Sequence, residues 1–126
     1  MFNYIIAVGS NINAEYNLQQ AWLLVKKRLD KNGQMAPLLA TEARGDSSQP
    51  NYINTAFSLH SELSVLTLKQ ELLAIEQELK RVRTNNKNAA RTIDLDICCC
   101  DGKIVDDDYY QYDFVQKSAD YFLYNA

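Results

Sequence analysis

The chain has 126 residues, of which thirteen are basic and sixteen are acidic, giving a net charge of −3. This length suits one domain with one core, so we expect residues 1–126 to form a single domain. The chain has neither an apolar run of about 18 residues nor an amino-terminal signal sequence, so we expect no membrane span and a cytoplasmic location. Five of the thirteen basic residues lie within residues 80–91. This clustering argues against general nucleic-acid binding and favours one small polyanion bound at one site.

The first third of the chain predicts a strand, a helix and a second strand. The segment Phe2–Val8 is almost continuously apolar, which predicts a central strand covered on both faces. Gly9-Ser10-Asn11 would end this strand, either as an ordinary turn or as a ligand contact. Apolar residues recur at helical spacing over Leu18–Leu29 and predict a helix. Met35–Ala43 predicts a second strand, which Pro37 confines to a sheet edge or to a strand start.

The rest of the chain predicts two further strands with a helix between them. Asn51–Leu63 alternates apolar and polar residues, as a half-buried strand does. Thr67–Arg81 is a predicted helix whose start matches a capping box. Thr92–Cys100 is the predicted fourth strand, and Lys103–Val105 forms a partial fifth element. The tyrosine-rich tail beyond residue 108 is too apolar to be disordered throughout, so we expect it to pack back on the domain.

The order β-α-β-β-α-β predicts an α+β fold, a ferredoxin-like sandwich of an antiparallel sheet with helices packed on it. Right-handed crossovers would place the first, third and fourth strands together at the centre of the sheet. The loops at residues 41–50 and 84–91 could then close over the fourth strand.

The three cysteines are consecutive, Cys98-Cys99-Cys100, within the predicted fourth strand. Neighbouring residues of a regular strand point to opposite faces, so they form a poor set for a disulfide. They also lack the spacing of a zinc site. We therefore expect them to be small buried apolar side chains.

The richest functional signal lies in residues 80–97, where a cationic segment leads into the fourth strand. Asp94 and Asp96 stand two residues apart, so a strand would hold both carboxylates on one face. Such a pair suits Mg²⁺, which commonly takes one or two carboxylates together with substrate phosphates. The pattern indicates phosphoryl or pyrophosphoryl transfer from a metal-bound nucleotide. The alternative is a solvated polar strand face beside a solvated helix end.

Three further polar residues have two interpretations each. Asn54 lies at a strand start beside a polar loop, where its amide could bind the edge of a heterocycle. Glu76 adjoins the apolar stripe of the second helix and could reach a ligand, or it could be an ordinary exposed glutamate. His60, the single histidine, lies well along its strand, and we expect a surface role rather than a catalytic one.

With these residues in hand, the chain resembles the 6-hydroxymethyl-7,8-dihydropterin pyrophosphokinases of folate biosynthesis. The resemblance covers about residues 2–105 and is strongest in two blocks, one around the asparagine and one around the aspartate pair. The matching segments are Gly9-Ser10-Asn11, Gln49-Pro50-Asn51-Tyr52-Ile53-Asn54, Ile75-Glu76, Arg81-Val82-Arg83 and Arg91-Thr92-Ile93-Asp94-Leu95-Asp96-Ile97.

The resemblance implies transfer of pyrophosphate from ATP to the pterin hydroxymethyl group, giving AMP, by a chain that acts as a monomer or weak dimer. Two Mg²⁺ ions with ATP would be held by Asp94 and Asp96. The residues with implied catalytic roles are Arg81, Arg91, Asp94 and Asp96. The implied nucleotide-binding residues are Glu76, Arg83 and Ile97, and the implied pterin-binding residues are Thr41, Tyr52 and Asn54.

The sequence departs from the family pattern at several places. Asn88-Ala89-Ala90 precedes Arg91 where the family has an aromatic-Gly-Pro block. Gln111-Tyr112-Asp113 stands where the family has a histidine, and the pterin-stacking aromatic is approximated only by Tyr121. The resemblance also implies a member shortened at its C-terminus. Two alternatives follow, a catalytically weak member that binds nucleotide or pterin, and an interaction module with a tyrosine-rich tail.

Overall fold

A computed structural model describes residues 1–41, 51–80 and 92–124. Within these ranges the chain forms one antiparallel sheet of six strands and four helices. The strands are β1 (Phe2–Ser10), β2 (Gln34–Met35), β3 (Leu39–Thr41), β4 (Tyr52–Ser61), β5 (Asp94–Cys100) and β6 (Lys103–Ile104). The helices are α1 (Ala14–Arg28), α2 (Val65–Glu78), α3 (Asp108–Gln111) and α4 (Asp113–Leu123).

The sheet has the order β2-β4-β1-β5-β6, and β3 also pairs with β4. The predicted α+β fold is confirmed. The first, third and fourth predicted strands correspond to β1, β4 and β5, and these are adjacent in the sheet as predicted. Strand β1 pairs antiparallel with β4 over its whole length and with β5 over most of it. No described helix is long and apolar enough to cross a membrane.

Helices α1 and α2 cover one face of the sheet, and their apolar stripes form the first core with the side chains of that face. Trp22 packs against Phe57 with their ring centroids 4.7 Å apart, and Tyr4 donates a hydrogen bond of 2.6 Å to the carbonyl of Leu63. The buried members from the sheet are Tyr4, Ile6, Val8, Phe57, Leu59 and Leu95, those from the helices are Leu18, Ala21, Val25, Leu68, Leu72 and Ile75, and Ile93 joins them from just before β5.

The tyrosine-rich tail forms α3 and α4 and packs back on the domain, as the sequence predicted, where it covers the opposite face of the sheet. Ala119 of α4 is buried in a second core beside Ala56 of β4 and Ala36, and Ala7 of β1 packs against the same core. These small side chains let the helix backbone approach the sheet closely. Strand β1 is therefore central and covered on both faces, as its continuous apolar character predicted.

Several predicted element boundaries differ from the structure, among them the start of the first helix, which lies at Ala14 rather than Leu18. The predicted strand Met35–Ala43 is divided into β2 and β3, because Pro37 has no N–H to continue a ladder. Helix α2 begins at Val65 rather than Thr67, because Ser64 is the N-cap and its Oγ accepts a hydrogen bond of 3.2 Å from the Thr67 N–H. The capping signal was present, but it lies three residues earlier than predicted.

The cysteine prediction is partly wrong. Ile5 pairs with Cys99 and Ile6 pairs with Ile97, so Cys98 is an extra residue in a β-bulge. The bulge breaks the strict alternation of faces, and both Cys98 and Cys99 lie in the second core. Both are buried, as predicted, whereas Cys100 is half-buried and packs against the first core.

We expect Ala119→Leu to destabilise the fold, because Ala119 is only 1 % exposed between α4 and the sheet. Overpacking of this kind costs roughly 1–3 kcal/mol of unfolding free energy. Urea denaturation would measure the loss, with Lys117→Leu as a control that adds the same side chain at an exposed position of α4. Equal effects from the two substitutions would contradict the close packing of α4.

Tyr109 provides a test of tail packing by pH. Its hydroxyl donates a hydrogen bond of 2.6 Å to Asp120, and this bond together with burial raises the pKa of Tyr109 to about 12. Because the folded pKa lies above the unfolded value, the stabilisation is complete below about pH 10 and is lost as the pH rises towards 12. We therefore expect the stability difference between the wild-type chain and Tyr109→Phe to shrink across this window.

Urea denaturation at a series of alkaline pH values would measure that difference. Tyr16→Phe is the matched control, because the Tyr16 ring is 62 % exposed on α1. A wild-type chain and a Tyr109→Phe variant that lose stability in parallel above pH 10 would show that the Tyr109–Asp120 hydrogen bond contributes nothing to folding.

Candidate active site

The pairing of the three central strands brings Asn54, Gly9 and Asp94 into one row. Gly9 of β1 is directly opposite Asn54 of β4 and directly opposite Asp94 of β5. Directly paired residues point to the same face of a sheet, so the amide and the carboxylate face the same side. The two outer residues of the row are separated by two strand spacings, about 10 Å. Gly9 forms the floor between them.

The absence of a side chain at Gly9 matters for Asn54. A Cβ built on Gly9 would lie 2.9 Å from Asn54 Oδ1 and 3.7 Å from Tyr52 Cδ1. Contacts below about 3 Å are not tolerated, so a larger residue would displace the amide. The glycine predicted to end the first strand is therefore inside β1, where it makes room for the side chains of two predicted pterin-binding residues.

The aspartate pair lies on the same face as Asn54. Ala7 of β1 pairs with Asp96, and Ala7 packs against the second core, which defines the face. Asp94 and Asp96 are two residues apart on β5, so they share that face and stand about 6.6 Å apart along the strand. Both are half-buried. The predicted alignment of the two carboxylates on one strand face is present.

The predicted pterin-binding residues are also together. Strand β3 pairs with β4 so that Thr41 is opposite Tyr52 and Leu39 is opposite Asn54. The Asn54 amide donates a hydrogen bond of 2.7 Å from Nδ2 to Thr41 Oγ1. Asn54 is 6 % exposed, so this bond fixes the amide plane of a buried group.

Glu76 lies on the other side of β5 and is only 2 % exposed. Its Oε2 accepts a hydrogen bond of 2.8 Å from the backbone N–H of Leu95, the residue between the two aspartates. Strand β6 pairs only with Cys99 and Cys100, so it does not reach this part of β5. Glu76 is buried, so it is not the ordinary exposed glutamate of the alternative interpretation. Its carboxylate instead supports the strand that carries the two aspartates.

Ile97 also lies apart from the aspartates. Its side chain packs against the first core, on the face opposite Asp94 and Asp96. The structure thus places the side chains of two predicted nucleotide-binding residues, Glu76 and Ile97, on the α2 side of β5. Arg81, Arg83 and Arg91 lie outside the described residues, so their roles stay predictions, as does closure of the loops at 41–50 and 84–91.

The sequence singled out Gly9-Ser10-Asn11 as a turn or a ligand contact, but it did not predict the role of the Ser10 side chain. Ser10 is fully buried, and its Oγ donates a hydrogen bond of 2.5 Å to the carbonyl of Thr92 at the entrance of β5. The buried Asn17 donates from Nδ2 to the carbonyl of Ile12, also at 2.5 Å. The Ser10 bond attaches the end of β1 to the entrance of β5, and the Asn17 bond holds the β1–α1 turn against α1. A serine at the end of an apolar strand was the available signal.

Other predicted positions lie elsewhere. His60 is exposed, and its backbone N–H donates 2.8 Å to Asp30, which confirms the predicted surface role. Tyr121, the approximate counterpart of the stacking aromatic, lines a cavity of about 500 Å³ together with Asn3 and His60 at the far end of the sheet. The structure does not bring Tyr121 to the row formed by Asn54, Gly9 and Asp94.

Comparison with known proteins agrees with this arrangement. The sequence model for 7,8-dihydro-6-hydroxymethylpterin-pyrophosphokinase matches residues 5–120, a range that contains Asn54, Asp94 and Asp96. The chain belongs to this family.

Individual relatives of this pyrophosphokinase family support the assignment. A 2-amino-4-hydroxy-6-hydroxymethyldihydropteridine pyrophosphokinase of Haemophilus influenzae is 33% identical over 107 residues, which are 83% of this chain and 66% of the relative. A protein of the same name from Pseudomonas aeruginosa is 34% identical over 103 residues, 80% of this chain and 63% of the relative. A folic acid synthesis protein of Schizosaccharomyces pombe is 30% identical over 94 residues, 73% of this chain and 13% of that protein. The chain spans about two thirds of the length of its bacterial relatives.

Asp94 and Asp96 of this pyrophosphokinase-family chain form a donor set of the kind that Mg²⁺ takes. The described residues contain no group of three or more His, Cys, Asp or Glu side chains that could hold a metal ion by themselves. Zinc in a structural site needs four protein ligands. Mg²⁺ is commonly held by one or two carboxylates with waters and substrate phosphates, which Asp94 and Asp96 on one strand face can provide.

We expect Glu76→Met to destabilise the protein, because it keeps a long unbranched side chain but removes the acceptor for the Leu95 N–H. Leaving that buried donor unpaired costs roughly 1–3 kcal/mol. Glu76→Gln is the matched control, since its amide oxygen can still accept the bond. Chemical denaturation would compare the two variants, and a Glu76→Met variant as stable as Glu76→Gln would rule out the supporting role.

Proposed function

We propose that this chain transfers a pyrophosphoryl group from Mg²⁺-bound ATP to 6-hydroxymethyl-7,8-dihydropterin and releases AMP. The observation that carries the proposal is the row Asn54–Gly9–Asp94, with Asp96 on the same strand face. It offers an amide at one end and a carboxylate pair at the other, about 10 Å apart across a glycine floor. A pterin and a polyphosphate that react with each other need these two kinds of group.

The carboxylate end is the proposed phosphate and metal end. Asp94 and Asp96 would hold Mg²⁺, which supplies charge neutralisation for the phosphate oxygens during transfer. The buried hydrogen bond from the Leu95 N–H to Glu76 keeps the backbone between the two aspartates in place. Glu76 thereby acts as a positioning residue for the pair, in addition to the nucleotide contact that the family resemblance implies for it and for Ile97.

The amide end is the proposed pterin end. Thr41 accepts one N–H of the Asn54 amide, which holds its Oδ1 over Gly9. A fixed amide presents both an acceptor and a donor, which complements the alternating donors and acceptors of a pterin ring edge. Tyr52 stands next to this amide, with Cδ1 close to the Gly9 position, and would supply an aromatic wall.

In the proposed reaction the pterin hydroxyl oxygen attacks the β-phosphorus of ATP. A new O–P bond forms, the bond between the β-phosphorus and the α,β-bridging oxygen breaks, and AMP leaves with that oxygen while the hydroxyl proton is lost. Positioning and charge stabilisation dominate such transfers. Arg81 and Arg91 are proposed to stabilise the transferring group, and Arg83 is proposed to contact the nucleotide.

The proposal includes a cytoplasmic location, where ATP is available, and activity as a monomer or weak dimer without nucleic-acid or membrane partners. A second candidate function is binding of nucleotide or pterin with little turnover. Its supporting observation is the segment Asn88-Ala89-Ala90 before Arg91, which has no aromatic side chain. Loss of one charged contact typically costs about 1.5–3 kcal/mol, so several losses could leave binding with little catalysis.

We expect Asp94→Asn and Asp96→Asn each to lower pterin-dependent AMP formation from Mg²⁺–ATP by on the order of 10²-fold or more, because each removes charge that the reacting phosphates and metal need. The matched control is Asp107→Asn, an exposed aspartate whose side chain makes no capping bond to α3. A chromatographic AMP assay with and without the pterin would measure the loss. Unchanged rates in both aspartate variants would remove the proposed metal site.

The AMP assay, combined with calorimetric measurement of ligand binding, separates the two candidate functions. Pterin-dependent AMP in the wild-type chain supports catalysis. Binding of either ligand without AMP, in a chain whose folding is intact, supports the weak or inactive family member. Binding of ATP that is unaffected by Asp94→Asn would place the nucleotide elsewhere in either case.

A further inference from the structure

The β-bulge in β5 places two cysteine sulfurs side by side. Cys98 is the residue without a partner on β1, between the Ile5–Cys99 pair and the Ile6–Ile97 pair. The Cys98 and Cys99 sulfurs are 3.5 Å apart, and both residues are 0 % exposed. In a regular strand these side chains would diverge to opposite faces, so the bulge is the cause of their proximity.

A disulfide is a poor use for this pair. Consecutive Cα atoms across a trans peptide are about 3.8 Å apart, whereas disulfides usually join Cα atoms separated by about 4.4–6.8 Å. Ring closure would therefore strain the backbone of a central part of the sheet. A ligand that bridges the two sulfurs avoids this problem, because it does not require the sulfur atoms to bond to each other.

The sulfur separation matches a single bridging atom. Two thiolate bonds of about 2.3 Å that end 3.5 Å apart enclose an angle of about 100°. This is close to the pyramidal angle of trivalent arsenic. The described residues provide no third or fourth His, Cys, Asp or Glu for a metal that needs more ligands, so zinc is disfavoured and a ligand satisfied by two sulfurs is favoured.

The electrostatics of the pair assist thiolate formation at one sulfur. The hydrogen bond with Cys98 lowers the pKa of the Cys99 thiol, although burial opposes this shift. We therefore expect Cys99 to be the sulfur that attacks first.

We propose that Cys98 and Cys99 form a dithiol site for trivalent organoarsenicals and that access to the site is controlled by the tail helices. The site is independent of the pyrophosphoryl-transfer proposal. With an arsenoxide, two S–H bonds and the As–O double bond are exchanged for two As–S bonds and one water. Arsenic stays trivalent, so no oxidant or reductant is required.

Access depends on α3 and α4 because Tyr109 and Ala119 belong to the same buried core as the two cysteines. A hydrogen bond of 2.6 Å from the Tyr109 hydroxyl to the Asp120 carboxylate joins α3 to α4. Local opening of the tail would expose the sulfurs without global unfolding. The labelling rate should therefore report the stability of the tail.

The test is exposure of the full chain to phenylarsine oxide, followed by intact-mass measurement and titration of remaining thiols after denaturation. The chain has three cysteines. We expect uptake of one arsenic with one thiol remaining, and release of the arsenic by a small dithiol but not by a monothiol. Cys98→Ser and Cys99→Ser should each abolish this bridged product, whereas Cys100→Ser should retain it with no thiol remaining.

Cys100→Ser is the matched control, because Cys100 packs on the opposite core. Loss of the bridged product in Cys100→Ser would overturn the proposal. So would its retention in Cys98→Ser, or labelling of the denatured chain only. Circular dichroism checks that each variant is folded, and alanine replaces serine where a buried hydroxyl prevents folding.

Gating is tested with Tyr109→Phe, which should accelerate labelling by roughly tenfold or more, since a hydrogen bond to a carboxylate is lost. Tyr16→Phe on α1 should leave the rate unchanged. Equal rates for the wild-type chain and Tyr109→Phe would overturn control of access by the tail while leaving the stoichiometric test of the dithiol itself intact.

Discussion

Strand β1 pairs antiparallel with β4 on one side and with β5 on the other, and this double pairing determines where the described site residues lie. A shift of either pairing by one residue would move the side chains of Asn54 or Asp94 to the opposite face. The register is held by the alternating burial of β1, in which Tyr4, Ile6 and Val8 belong to the first core. The site therefore depends on core packing several residues away from it.

Strand β5 needs more support than β1, because it has a full-length strand neighbour on only one side. Within the described residues β6 pairs only with the last two residues of β5, so the aspartate end is held by other groups. Ser10 binds the carbonyl of Thr92, and Glu76 binds the N–H of Leu95. Both are buried polar groups that would be costly if left unpaired. These two hydrogen bonds hold β5 in place against the mutual repulsion of the Asp94 and Asp96 carboxylates.

The sequence predicts the fold better than it predicts its irregularities. The continuous apolar character of Phe2–Val8, the alternation along Asn51–Leu63 and the right-handedness of crossovers were sufficient to predict the order of the long strands. Pro37 signalled an edge or a strand start, and the strand is broken there because Pro37 has no N–H, although the Ala36 N–H still donates a hydrogen bond to the Ala56 carbonyl. The bulge at Cys98 was not predictable, since the alternation of faces in Thr92–Cys100 carries no local sign of an extra residue. In the site, spacing alone placed Asp94 with Asp96, whereas the role of Glu76 required the position of α2.

The bulge and the tail helices are linked by the same buried surface. A bulge turns both Cys98 and Cys99 towards the second core, where small alanines already allow α4 to lie close to the sheet. Two sulfurs fill this space without a polar group that needs a strong partner. The consequence is that the strand carrying the aspartates is covered by helix packing on both faces near its C-terminal end. A ligand that enters between β5 and α4 would therefore have to separate the tail from the sheet, so the chemistry of the cysteines and the stability of the tail cannot vary independently.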